Sequence, residues 1–112
     1  MDVQFRNTKF EKAFSSRKAL VQKYGEGMAK KIMIRMGVLQ AASSLANISI
    51  LPPERCHELS GKRKGEFAVD LEHPWRLIFR PTHDPVPLKE DGGIDIHRVT
   101  TITILSVEDY HG

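Results

Sequence analysis

The hydrophobic positions along the chain change period near its middle. From Thr8 to Tyr24, Phe10, Ala13, Phe14, Val21 and Tyr24 fall on one helical face with Leu20 flanking it, and Asn7 or Thr8 offers an N-cap. Gly25 stands where a C-cap glycine belongs. In the following stretch "GMAKKIMIRMGVLQAAS", Met28, Ile32, Met36 and Leu39 are spaced four, four and three, which predicts a second helix with its methionines filling the core. Two helices joined at a glycine turn predict an antiparallel hairpin. The Pro52–Pro53 pair in "ANISILPPERC" marks a connector, because proline suits neither a helix interior nor a central strand. Beyond it "RCHEL", "GEFAVDL" and "WRLIFRP" read as short strands separated by "SGKRKG" and "EHP". "RPTHDPVPLKEDGGID", with three prolines and two glycines, reads as a long hairpin loop or flap. "IHRVTTITILSV" is dense in β-branched residues and predicts the longest strand, central in its sheet, while "DVQF" at the start predicts an edge strand. The order β-α-α-β-β-β-β implies an α+β fold, with an N-terminal helical hairpin packed on a mainly antiparallel, four- to five-stranded twisted sheet.

Length and composition narrow the classes. A chain of 112 residues is near the commonest domain size, and no linker or internal repeat divides it, so residues 1–112 are expected to form one domain. No apolar run is long enough to cross a membrane, and the opening "MDVQFRNTKF" lacks the apolar segment of a signal peptide. The single cysteine, Cys56, cannot form an internal disulfide, and the expected compartment is the reducing cytoplasm. One cysteine and scattered histidines give no metal-site spacing, so neither a metal nor a cofactor is expected. Charge is divided unevenly: residues 1–64 hold 13 Lys/Arg against 5 Asp/Glu, and residues 65–112 hold 4 against 9. That division fits either a polyanion-facing surface or lysine-rich solvated helices.

Candidate chemistry gathers at the chain's end, where "VEDYHG" places Asp109, Tyr110 and His111 side by side behind the longest strand. If that strand stays extended, Asp109 and His111 share one face and Tyr110 takes the other. A carboxylate beside an imidazole makes an acid–base pair; the alternative is a polar terminus that touches nothing. Lys62, Arg63 and Lys64, between Gly61 and Gly65, suit phosphate contacts or a solvated hairpin loop. Arg76, between Trp75 and Leu77 in an inner strand, either snorkels along the sheet or meets an anion with its planar fork. His57 in "CHEL" is a structural or a catalytic strand histidine. His73, His83 and His97 read as surface residues, with His97 opening the last strand.

These pieces, in this order, resemble the HigB-like killer branch of the RelE/ParE toxin superfamily from bacterial toxin–antitoxin modules. The resemblance is densest in "CHELSGKRKGEFAVDLEHPWRLIFR" and the closing "VEDYH", which parallel the family's His-Pro-Leu-Lys-Gly segment, Lys/Arg-Gly pair, aromatic strand with Trp-Arg-Ile-x-Phe, and terminal Glu-Asp-Tyr-His. It implies a ribosome-dependent mRNA endoribonuclease that inhibits translation through metal-free attack of a ribose 2′-hydroxyl on the adjacent phosphate. Carried over, Arg76 stabilises the phosphate, His111 and Asp109 share proton transfer, Tyr110 stacks on a base, and His57 matches the histidine of the first segment. Lys62, Arg63 and Lys64 become RNA contacts. The implied partners are the ribosome, mRNA and a HigA-like helix-turn-helix antitoxin, with the toxin monomeric when unbound and no membrane involved. Two departures stand out: the family's lysine in the first segment falls on Ser60, and the 81–93 insertion is longer than usual. The competing implications are a ParE-like gyrase inhibitor acting by contact alone, and a decayed toxin that only binds its antitoxin.

Overall fold

The computed structural model describes residues 1–109. Among them, five strands form one sheet: β1 (Asp2–Phe5), β2 (His57–Glu58), β3 (Phe67–Asp70), β4 (Trp75–Pro81) and β5 (Thr101–Asp109), in the order β1-β5-β4-β3-β2. Three pairings are antiparallel, and β1 lies parallel to β5 at one edge. The helices are α1 (Thr8–Ala13), α2 (Arg17–Tyr24) and α3 (Glu26–Ala41). The α+β architecture and the edge position of β1 match the sequence reading, and the parallel pairing of β1 is added by the structure, with three differences in detail.

First, the long N-terminal helix is broken in two. Asn7 caps α1, its side chain accepting from the Phe10 N–H at 2.8 Å. The chain then leaves the helix at Phe14, and Ser16 recaps it, accepting from the Ala19 N–H at 3.1 Å. Serine hydroxyls compete for backbone donors, and "FSSR" offers two in succession, which converts a helix interior into a fresh N-terminus. The break lets Phe5, Phe10 and Phe14 cluster, with ring centroids 4.9 to 6.2 Å apart. Gly25 ends α2 at φ +85, a left-handed conformation that glycine enters without penalty.

Second, β5 is the longest strand but not the middle one; β4 holds that place. Third, His97 does not open β5. It lies in a 3-10 turn, Ile96–Arg98, at the end of a long loop pinned by a bridge between Leu88 and Ile94.

The sheet has two unlike faces. The helices and the 42–56 connector cover one, where Met28, Ile32 and Leu39 of α3 join Phe67, Val69, Leu77, Phe79, Ile102 and Ile104 in the main core. Among the described residues, the other face carries only a small buried cluster of Leu59, Ala68 and Ile78. A β-bulge governs how β5 meets both faces. Phe79 pairs with Ile104 while Ile78 pairs with Ser106, so Leu105 is the extra residue. Before the bulge Ile102 and Ile104 point to the helices; after it Val107 does, and Glu108 takes the open face.

One buried cation ties the layers together. Arg35 of α3 is 4% exposed and donates from Nε to the Asp70 carbonyl at 2.6 Å and from Nη2 to the Pro53 carbonyl at 3.3 Å. The arginine thereby fixes the end of β3 and the proline connector to the same helix.

Candidate functional site

The open face is organised in rows. Register places Asp70 beside Arg76, and Arg76 beside Glu108, across β3, β4 and β5. Arg55 completes the row beyond β2, with Nη1 3.2 Å from Asp70 Oδ2. Arg76 Nε is 3.0 Å from Asp70 Oδ1, and the Arg76 side chain is 14% exposed. Arg55, Asp70, Arg76 and Glu108 thus alternate in sign across three strands and the connector that leads into β2. Cross-strand neighbours lie about 5 Å apart at Cβ, close enough for each charge to be set against the next.

The basic turn crosses over this row. Gly61 at φ +64 and Gly65 at φ +98 bracket it, and both angles belong to the left-handed region. The turn carries Arg63. Its guanidinium donates to both carboxylate oxygens of Glu108 at 2.8 Å and to Glu66 Oε1 at 2.8 and 3.1 Å. The Ser106 hydroxyl gives Glu108 a further hydrogen bond. The Arg63 hydrogen bond, with its charge, holds the Glu108 carboxyl below the usual glutamate range. Of the three basic residues proposed from sequence, Lys62 and Lys64 are exposed, while Arg63 is engaged by carboxylates.

His57 pairs with Ala68, and Ala68 with Ile78, which places it in the next row of the same face, roughly 12 Å from Arg76 at Cα. Its Nδ1 lies 2.8 Å from the Arg55 carbonyl. A carbonyl only accepts, so Nδ1 carries the proton, and in the neutral ring Nε2 presents a lone pair. His57 also borders a cleft of about 740 Å³ between the connector and the long loop, floored by Ile48, Phe67 and Ile96 and edged by Lys89 and His97.

Asp109 closes β5 opposite Trp75, so the strand's alternation assigns it to the face that Arg76 does not share. Tyr110 and His111 lie outside the described residues. The open face therefore unites Arg76, His57 and Arg63, and it brings Glu108 rather than Asp109 into the arginine row. Sequence reading missed Glu108, Asp70 and Ser106. The alternation of "FAVD" would have found Asp70; nothing local marks the bulge that turns Glu108 and Ser106 to this face. Among the described residues, no cluster of three or more His, Cys, Asp or Glu is placed to hold a metal, and no helix is long and apolar enough to cross a membrane.

Comparison with known proteins reaches this chain through its fold alone. No family model matches it, and neither does any curated protein. Solved structures do, among them two from Staphylococcus aureus. The YoeB–YefM complex matches with a TM-score of 0.53, and the YoeB dimer with 0.54. Each is 18% identical and aligns over 100% of this chain and 98% of that one. The α+β arrangement of N-terminal helices on a five-stranded, mostly antiparallel sheet is the YoeB fold.

Proposed function

We propose that the chain is the toxin of a type II toxin–antitoxin module, a ribosome-dependent mRNA endoribonuclease working by 2′-hydroxyl attack. The observation that carries this reading is Arg76, a largely buried guanidinium held on the uncovered face of a YoeB-type sheet, one strand from the run that ends "VEDYH". Its planar fork suits the equatorial oxygens of a phosphorane, and Asp70 fixes its orientation through Nε.

The reaction needs a base for the 2′-hydroxyl and an acid for the leaving 5′-oxygen. His111, two residues beyond β5, is assigned to one of these proton transfers and Tyr110 to stacking on an unpaired base, while Asp109, which the register turns to the other face, is left out of the proton transfer. His57, whose tautomer exposes Nε2, supplies a second proton-transfer group on Arg76's own face. Lys62 and Lys64 contact neighbouring phosphates from the exposed turn. The sequence resemblance supports a helix-turn-helix antitoxin as partner, and the solved YoeB–YefM complex supports a protein partner for this fold. The cytoplasm, where ribosome and mRNA meet, is the compartment the reading requires.

The test is addition of wild type, Arg76→Ala and His111→Ala to a translating extract. Wild type is expected to cut mRNA, and loss of the general acid–base group to slow cutting about a hundredfold or more. Intact mRNA and undiminished translation with wild type would sink the proposal. Arrest of gyrase supercoiling without mRNA cleavage would put the contact inhibitor in its place.

A further inference from the structure

We infer that the Arg63 guanidinium and the Ser106 hydroxyl form a phosphodiester-binding subsite which Glu108 occupies in cis, so that an RNA phosphate and this carboxylate compete for the same donors. The inference rests on the reading of the chain as a protein that acts on RNA. Three observations support it. Arg63 meets Glu108 through both terminal nitrogens at 2.8 Å, the two-pronged geometry with which arginine takes a phosphate. Ser106 adds a third donor to the same carboxylate, so two oxygens receive three hydrogen bonds, an arrangement that fits the non-bridging oxygens of a phosphodiester equally well. Arg76 stands beside Glu108 in the sheet register, so an anion replacing that carboxylate would sit next to the arginine assigned to the scissile phosphate.

The carboxylate is suited to a reversible role. Glu108 and Arg63 are each about one-third exposed, so a strand of RNA reaches the pair from solvent. Glu66 keeps its own contacts to Arg63 Nε and Nη2, so the guanidinium stays oriented when Glu108 lets go. Exchange of Glu108 for a phosphate breaks the Arg63–Glu108 and Ser106–Glu108 hydrogen bonds and forms equivalent ones to the phosphate oxygens, with no proton transferred. Glu108 then acts as a threshold: only RNA held by further contacts displaces it, which discriminates against weakly bound strands.

The experiment measures binding of a short single-stranded RNA, blocked at every 2′ position by O-methylation, to the full chain at a series of salt concentrations by fluorescence anisotropy. Glu108→Gln is expected to bind several-fold tighter than wild type, and its plot of log K against log salt to steepen by about 0.7, one added phosphate contact. Adding Arg63→Gln should erase the gain. Adding Lys18→Gln, which removes the same charge from an exposed position on α2, should leave it. Thermal melts of each variant verify folding. Equal or weaker binding by Glu108→Gln overturns the inference, as does a gain that survives loss of Arg63 or vanishes with Lys18. Cleavage in the extract is scored separately. Cleavage without any Glu108 effect removes the subsite alone, and a Glu108-dependent gain without cleavage removes the nuclease chemistry and keeps the subsite.

Discussion

The two faces of the sheet are held by different forces. Against the helices, Phe79, Leu77, Ile102 and Ile104 pack into continuous apolar contact, and the buried cation there, Arg35, is bonded to backbone carbonyls. The open face has a small apolar cluster and, from the basic turn and β5, a linked group of Arg63, Glu66 and Glu108. Apolar burial is neither screened by salt nor titrated by pH, whereas ion pairs at the surface respond to both. A protein built this way keeps its framework while one face can rearrange its partners.

Adjacent residues test the contrast most directly. Phe79 and Ile78 are both 0% exposed yet point to opposite faces. Phe79→Ala is expected to cost about 3–5 kcal/mol in urea denaturation. Ile78→Ala should cost about 2 kcal/mol, at the low end for its type, because the 60–66 turn can settle into the space. Equal losses would erase the distinction between a core and a latch.

The two arginines come next. Arg35→Leu leaves the Asp70 and Pro53 carbonyls without their donor, and the expected loss is about 2 kcal/mol, unchanged between low and high salt. Arg63→Gln should cost about 1 kcal/mol or less in low salt, and still less in molar salt. A salt-dependent loss at Arg35 would contradict its reading as a backbone tie.

Acid should release the open face first. Arg63 holds Glu108 below the usual glutamate range, so the pair's contribution is complete above about pH 5 and disappears as pH falls through the lowered folded value. Wild type should therefore lose stability relative to Glu108→Gln on acidification, by no more than about 1 kcal/mol. A wild-type advantage that persisted to pH 2 would show that Glu108 contributes through shape alone.

The smallest effect concerns Cys56, on the helix side, whose thiol burial pushes up to about 12. A raised value means that no thiolate forms at neutral pH, and that stability declines only as pH climbs above the unfolded thiol range, about 8.5. Iodoacetamide at pH 8 should leave the folded chain unlabelled and modify it in urea.

Much of this was legible in the residues. Phe10, Met28, Ile32 and Leu39 were read as inward positions and are buried, Leu20 was read as flanking the apolar face and is buried as well, and Gly25 was read as the helix boundary. Those features follow from periodicity and from a backbone angle that one residue type favours. The break at Ser16 escaped because Phe14 and Tyr24 keep the apolar period running across it, while the cap is decided by a single hydroxyl. The middle position of β4 escaped because apolar density reports burial, and both β4 and β5 have neighbours on each side. At the site, Arg76 was legible as an arginine enclosed by apolar neighbours. Its row-mates were not, since which carboxylate stands beside it depends on pairing between strands.

Leu105 has a consequence that reaches beyond its own side chain. Two acidic residues sit in tandem at positions 108 and 109, and the single inserted residue upstream selects which of them the arginine meets. Lengthening or shortening β5 by one residue would exchange their duties without altering either acid. Descendants of this scaffold therefore have access, through one codon gained or lost, to a differently wired cation, with the hydrophobic interior left as it was.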